Sequence, residues 1–191
     1  MTAFICKEQT MPPTVIKLLA PRFRKKIAAF DFDHTLVVPR EGRRFPKDAT
    51  DYMWLTPNVP DVLQSFYKKG YMIVIFTNQS KPWKADQIRA AMNELRIPVT
   101  ICIAIDKAEY KPSRILFDTV IADKVWDKKA SFFVGDALGR KGDWSDSDAK
   151  FAEAVGIKTR TPEYMFAIPF ANAKCDLHVA CLHNSYHCQP N

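Results

Sequence analysis

Ile27-Ala28-Ala29-Phe30-Asp31-Phe32-Asp33-His34-Thr35-Leu36 decides how the rest of the chain is read. It begins as a short apolar run with the character of a buried β-strand. Two carboxylates, Asp31 and Asp33, follow where that run stops. In a strand, residues two apart point to the same face, so both side chains are expected to aim at one spot past its C-terminal end. In an open α/β sheet that edge is where ligands bind. Two carboxylates this close repel each other unless a cation or a shared proton compensates. The plainer reading is a strand that runs into an Asp-rich turn. Three features further along the chain favour a site.

Outward from this stretch, apolar runs and helical periodicities alternate. Pro57 to Gly70 reads as a helix with Asn58 as its cap, and Tyr71 to Phe76 as a buried strand ending in Thr77-Asn78-Gln79. Lys84 to Leu95 is helical, Val99 to Ile105 a strand, and Lys107 to Pro112 a loop bearing Lys111. Ser113 to Val125 is helical, and Ser131 to Val134 is a strand ending in Gly135-Asp136. Ser147 to Val155 is a helix closed by Gly156, and Ile157 opens a short fifth strand. This order predicts an α/β fold: a Rossmann-like parallel sheet with helices on both faces. Right-handed crossovers then bring Asp31, Asp33, Thr77, Lys111 and Asp136 to one edge.

The chain has 191 residues, 47% hydrophobic and 26% charged, which fits one globular domain. No apolar run reaches the length that spans a bilayer, and the N-terminus lacks a secretory pattern. The expectation is a soluble, intracellular and monomeric protein, nuclear if the source is eukaryotic. The net charge of +7 favours polyanionic partners. The division expected is an N-terminal extension over 1–26, a catalytic domain over 27–170 and a Cys/His-containing tail over 171–191. Met1 to Pro21 shows no clear periodicity. Arg22 to Lys26 is a basic cluster, read either as a phosphate-contacting patch or as a solvated lead-in. Cys102 lies in an apolar run and reads as a core residue. Cys175, His178, Cys181, His183, His187 and Cys188 crowd the tail, where zinc ligation and chance clustering both stay open.

These groups suit phosphoryl transfer to a carboxylate. Asp31 is the expected nucleophile, forming an aspartyl-phosphate. Asp33 is the expected general acid for the leaving oxygen and then the base for water. Magnesium is the expected cofactor, held by Asp31, the Asp33 backbone carbonyl and Asp136. Thr77 and the Asn78 backbone N–H are expected to bind phosphoryl oxygens, with Lys111 neutralising charge. Between the first helix and the Asp pair, Val37 to Trp54 is a polar excursion containing Arg40, Arg43, Arg44 and Lys47 among Phe45, Tyr52 and Trp54. It reads either as a nucleic-acid-gripping flap, with Arg43 or Arg44 on the substrate, or as a solvated flap whose aromatics tuck inward.

Asp31-Phe32-Asp33-His34-Thr35-Leu36 resembles the Asp-x-Asp-x-Thr nucleophile motif of the haloacid dehalogenase superfamily, and Thr77, Lys111 and Gly135-Asp136 fit its other motifs. Gly42 to Pro46, Ile75 to Gln79, Tyr110-Lys111-Pro112, Phe133 to Arg140, Asp143-Trp144-Ser145 with Asp148, and Thr161 to Phe166 are more closely similar to the 3′-phosphatase domain of polynucleotide kinase-phosphatase. The resemblance covers roughly Lys26 to Phe170. It implies removal of a 3′-phosphate from DNA ends, as in strand-break repair, with Asp143 and Asp148 supporting the metal from an acidic loop. Asp-rich helix starts occur without any metal, which is the plainer account of both. His34 stands where many relatives carry Gly. No Gly-x-x-x-x-Gly-Lys-Ser/Thr motif is present, so the expectation is that any 5′-kinase is a separate partner. A minimal cap is expected, leaving the site open to a polymer end. Two rivals stand beside this reading. One is a small-molecule phosphatase of the same superfamily, of histidinol-phosphate or sugar-phosphate type. The other is a non-catalytic nucleic-acid-binding module.

Overall fold

The computed structural model describes residues 11–167. In chain order the elements are β1 (Thr14–Leu18), β2 (Lys26–Phe30), β3 (Val37–Val38), β4 (Met53–Trp54), α1 (Val59–Lys68), β5 (Tyr71–Asn78), α2 (Lys84–Glu94), β6 (Val99–Ala104), a 3-10 turn (Lys107–Glu109), α3 (Ile115–Ile121), β7 (Phe132–Val134), α4 (Ser147–Val155), β8 (Lys158–Arg160) and α5 (Pro162–Phe166). Six strands form one sheet in the order β1-β6-β5-β2-β7-β8. The pairs β6-β5, β5-β2, β2-β7 and β7-β8 are parallel. This is the expected Rossmann-like α/β arrangement. The short strands β3 and β4 pair antiparallel as a separate two-stranded sheet.

β1 corrects the sequence reading, which found no periodicity before Pro21. Thr14–Leu18 pairs antiparallel with β6 along one edge of the sheet. Only Leu18 of this strand is fully buried. A short edge strand with half-exposed side chains leaves little apolar signal.

Strand parity sorts the core into two layers. Ala28, Phe30, Ile73, Ile75, Ile101 and Ile103 face one way, toward Val59 and Leu63 of α1 and Ile88, Ala91 and Met92 of α2. Ile27, Ala29, Val74, Phe76, Cys102 and Phe133 face the other, toward Leu116 and Phe117 of α3 and Phe151 and Ala152 of α4. The alternation follows from the two-residue side-chain period of a strand buried on both faces. Cys102 is a core residue, and burial pushes its thiol up to about 12. Among the described residues no helix is long and apolar enough to cross a membrane.

β2 is central, and the chain changes direction across it. β5 and then β6 lie on one side, while β7 and β8 lie on the other. Beyond the carboxyl ends of the strands, such a reversal opens a crevice. The loops after β2, β5, β6 and β7 converge there.

Two helix boundaries differ from the sequence reading. Asn58 precedes α1 without capping it through its side chain; its amide instead donates to the Phe166 carbonyl at 3.1 Å. The third long helix spans only Ile115–Ile121, because Asp127 and the following turn tie the chain back to Lys25, whose carbonyl accepts from the Asp127 N–H at 2.8 Å. The Cys/His cluster of the tail lies outside the described residues.

Candidate active site

The first carboxylate is positioned by the sheet. β2 ends at Phe30, and the Asp31 N–H donates to the Val134 carbonyl of β7 at 2.8 Å. Asp31 thus sits at the mouth of the crevice between β2 and β7. Lys111, in the loop after β6, donates from Nζ to Asp31 Oδ1 at 2.7 Å and to Asp148 Oδ1 at 2.7 Å. Its side chain is 3% exposed. Asn78 at the end of β5 holds the Lys111 backbone from both sides: Oδ1 accepts from the Lys111 N–H at 2.8 Å and Nδ2 donates to its carbonyl at 3.3 Å.

The second carboxylate has a different partner. Asp33 lies past the strand, in a turn bridged to Val37. The two-residue strand parity expected for the pair therefore does not reach it. Its Oδ1 is ion-paired with Lys84 at the start of α2, and its Oδ2 accepts from Gln79 Nε2 at 2.7 Å. Gln79 Nε2 also donates to the Thr77 hydroxyl at 2.8 Å. Lys84 Nζ further donates to Gln87 Oε1 at 2.8 Å. The Gln87 amide donates in turn to the Asp48 and Asp51 carbonyls of the flap. Sequence reasoning passed over Lys84, Gln79 and Gln87. One signal was present: a lysine in the first turn of a helix stands at the positive end of the dipole and calls for an anionic partner.

Asp136, just after β7, completes a third side. The buried Thr35 hydroxyl donates to its Oδ1 at 3.1 Å. Asp31, Asp136 and Asp148 bring carboxylate oxygens within 4.8 Å of one another. Burial pushes the Asp31 carboxyl up to about 7; Lys111 opposes the rise, while Asp148 and Asp136 add to it. Asp136 is likewise raised by burial and by the Asp148 charge. For Lys111, burial works against the charge, but the facing carboxylates of Asp148 and Asp31 outweigh it and hold the amine protonated. Three crowded carboxylates against one ammonium leave an excess of negative charge. Oxygen ligands in that number and spacing suit a hard divalent cation such as magnesium. Asp31, Asp136 and Asp148 are the side chains that fit as its ligands.

Asp148 is fixed by its surroundings. It is 1% exposed in the first turn of α4, and its Oδ2 accepts from the Ala137 N–H at 3.1 Å. A Cβ at position 135 would collide with that carboxylate, so glycine is required there for space rather than for backbone freedom. Asp143 is not brought into the cluster. Its Oδ2 accepts from the Leu138 N–H at 3.0 Å and from Arg140 N at 3.1 Å and Nε at 3.0 Å, bracing its own loop. Burial acts to raise its carboxyl, but these bonds hold it below the usual carboxylate range.

The cleft is about 160 Å³ and is lined by Asp31, Asp33, Thr77, Asn78, Lys111 and Asp136, with His34, Ala137, Ser147 and Asp148 around them. Arg43 and Arg44 are not among the lining. Arg43 pairs with Glu41, and Arg44 lies over the Trp144 ring beside Phe45. Phe45 and Trp144 are 69% and 60% exposed. The flap's other aromatics are spoken for: Tyr52 Oη and Trp54 Nε1 both donate to Glu94 of α2, at 2.8 and 3.1 Å. His34 has φ +56°, the left-handed region that glycine enters most readily. The imidazole here is within hydrogen-bond distance of the Arg44 carbonyl, 2.9 Å from Nε2, and so ties the flap to the Asp pair.

The fold is similar to the crystal structure of D,D-heptose 1.7-bisphosphate phosphatase from B. bronchiseptica complexed with magnesium and phosphate, with a TM-score of 0.52, 16% identity, and coverage of 70% of this chain and 78% of that one. In sequence the chain is 40% identical over 153 residues to a bifunctional polynucleotide phosphatase/kinase of Schizosaccharomyces pombe, covering 74% of this chain and 38% of the relative. It is 35% identical over 172 residues to the polynucleotide 3′-phosphatase ZDP of Arabidopsis thaliana, covering 74% of this chain and 24% of that protein. The chain thus spans well under half the length of both. A third relative, the 20.8 kDa protein in the FGF-VUBI intergenic region of Autographa californica nuclear polyhedrosis virus, is 33% identical over 156 residues and is covered over 85% of its length, against 73% of this chain. Residues 26–166 match the family model described as polynucleotide kinase 3 phosphatase, and with the Asp31–Asp33 loop, the buried lysine and the acidic cluster all inside that span, the chain belongs to this family within the haloacid dehalogenase fold.

Proposed function

We propose that the chain removes the 3′-phosphate from DNA ends through an aspartyl-phosphate on Asp31. The observation that carries this is the Asp31 carboxylate at the cleft mouth, against Lys111 and flanked by Asp136 and Asp148. Asp31 Oδ attacks phosphorus, and the bond from phosphorus to the 3′ oxygen breaks. Asp33 gives that oxygen its proton, leaving a 3′-hydroxyl. Asp33 then takes a proton from water as the water attacks phosphorus. Inorganic phosphate leaves and the Asp31 carboxylate is restored. Thr77 and the Asn78 N–H bind phosphoryl oxygens, and Lys111 offsets their charge. When bound, magnesium supplies charge neutralisation between the acidic cluster and the phosphate.

The cleft size favours a polymer end over a small metabolite. About 160 Å³ takes a terminal phosphate and part of its sugar. Pockets that enclose a small molecule run to roughly 300–1,000 Å³. The rest of the strand would lie outside, near Phe45, Trp144 and Arg44, with Arg43 or Arg44 gripping its phosphates. Asp143 serves the cluster by bracing the loop that carries Asp136. This reading places the protein in strand-break repair as a soluble monomer, nuclear in a eukaryotic cell, working beside a separate 5′-kinase or other repair partner.

Phosphate release from 3′-phosphorylated and 5′-phosphorylated oligonucleotides and from small phosphomonoesters, with magnesium and with chelator, tests the proposal. The expected outcome is magnesium-dependent release from the 3′-phosphate alone, abolished by Asp31→Asn with DNA binding retained. Equal turnover of small monoesters would favour the metabolite phosphatase. No release from any monoester would favour the binding module.

A further inference from the structure

The catalytic cleft does not use the basic cluster before β2, and the fold gives that cluster a setting the sequence did not show. All the parallel strands start at the edge opposite the cleft. Lys26 lies beside Tyr71 across β2 and β5, and Phe132 beside Lys158 across β7 and β8. Lys25 and Lys26 enter β2, Lys69 precedes β5, and Lys128 and Lys129 precede β7. Side-chain contacts tie those beside α1 and β2 to their neighbours. Arg24 lies 4.1 Å from the Tyr67 ring centroid and donates to the Tyr67 carbonyl at 2.7 Å. Lys26 donates to the Lys69 carbonyl at 2.7 Å, and Lys124 lies near the Phe23 ring.

Arg24 and Lys26 have a local task, satisfying carbonyls at the C-terminal end of α1. Lys25, Lys68, Lys124, Lys129 and Lys158 are exposed and have none. Among the described residues these cations form no ion pair; the ion pairs present lie elsewhere. Two acids stand on the turns before β7. Asp127 accepts from the Ala130 N–H at 3.0 Å within its own turn, and Asp123 stands alone on the preceding one.

We infer that this edge is a second nucleic-acid-binding surface, which holds the phosphate backbone without reading sequence while the opposite edge processes an end. Uncompensated lysines along an edge are the footprint of backbone contact by counterion release. From β5 to β8 the edge spans three strand spacings, about 14 Å. Along β2 it stands about 16 Å from Asp31. A strand joining the two edges must pass around the sheet, farther than this straight line, so contact with both favours a long strand over a trinucleotide. An acidic protein is the rival occupant.

The test is the variant Lys25→Gln/Lys124→Gln/Lys129→Gln. Its binding to a long 3′-hydroxyl duplex is followed by fluorescence anisotropy at rising KCl. Removing three backbone contacts should weaken binding by at least about tenfold and make the salt slope shallower by about two to three. An unchanged melting temperature shows that the variant is folded. The binding arm needs no catalysis, so it stands apart from the proposed phosphatase activity. A second arm rests on that activity: turnover of a 3′-phosphorylated trinucleotide should match the parent, while kcat/KM on a long strand falls. Unchanged affinity and slope would overturn the inference. So would an equal loss on the trinucleotide, or binding of poly-glutamate in preference to duplex, which would assign the edge to an acidic protein.

Discussion

The acidic cluster should make the metal-free protein less stable as pH rises through neutrality. Asp31 carries a carboxyl whose ordinary value of 3.8 is pushed up to about 7 in the fold, chiefly by burial. A raised carboxyl means that the folded state binds a proton more tightly than the unfolded chain. Its contribution to stability is fully present below the unfolded value and is lost as pH rises through the folded one. Between about pH 5.5 and pH 8.5 that loss amounts to about 2 kcal/mol, taking 1.36 kcal/mol per pH unit over the interval in which the folded group alone is protonated. Asp136 is raised in the same direction, so it acts with Asp31 and not against it. For a chain of this size about 2 kcal/mol corresponds to a melting shift of roughly 4–8 °C. The side chain of Asp31 is 13% exposed, so solvent screening takes little of this away.

The assay is thermal unfolding across that pH range, once in chelator and once in excess magnesium. In chelator the midpoint should fall as pH rises. Magnesium should raise it most at the alkaline end, where the cluster is ionised, and least at the acid end, where Asp31 holds a proton. A chelated protein whose stability is flat or rises over the same window would refute both the crowding of carboxylates and their assignment as a metal site.

Lys84→Met leaves Asp33 with Gln79 alone and strips Gln87 of its lysine; it should cost about 2–3 kcal/mol in denaturant unfolding and lower kcat far more than it changes KM. A kcat within twofold of the parent would remove Lys84 from any role in setting Asp33. Gly135→Ala should drive Asp148 away from Lys111, cost about 1–3 kcal/mol and reduce turnover; wild-type stability would mean that the α4 loop moves freely. Replacing Arg43 and Arg44 together by Ala should raise KM for oligonucleotides and flatten its salt dependence, and an unchanged salt slope would take both out of the interface.

Much of this was legible in the chain because burial on both faces turns strands into continuous apolar runs. Ile27 to Phe30, Tyr71 to Phe76 and Val99 to Ile105 all read directly as strands, and the first two end where a polar residue of the cleft begins. What did not read were features set by tertiary pairing. Thr14–Leu18 joins the sheet at an edge; its alternation is only five residues long and its inner face is mostly half-buried, so the signal is short. Lys84 looked like the first residue of an amphipathic helix, although it is buried against Asp33 across 51 positions of sequence. Tyr52 and Trp54 looked equally able to stack bases or to tuck inward. Their bonds to Glu94 decide for the second, and leave Phe45 and Trp144 as the exposed aromatics beside the cleft. His34 was opaque because its reason lies in a backbone angle, which composition does not report.

The repulsion within Asp31-Phe32-Asp33 is resolved by separation as much as by neutralisation. Each carboxylate has its own buried lysine, on opposite faces of the sheet: Lys111 from the side of α3 and α4, Lys84 from α2. The gross attraction of one such contact is about 6 kcal/mol at 2.7 Å and an effective dielectric near 20. The desolvation of two ions costs several kcal/mol each, so a buried pair adds little net stability. Two such pairs in one small cleft are therefore poor devices for holding the fold together. Their value lies in what they impose on the carboxylates. Lys111 is shared with Asp148 and lines the cleft, so it keeps a second partner if its contact with Asp31 is given up. Lys84 is bound on its far side by Gln87, which also holds the flap, so the position of Asp33 is coupled to the flap. The pair thus begins as two identical carboxylates and ends in two different environments, because the fold hands each one to a different lysine.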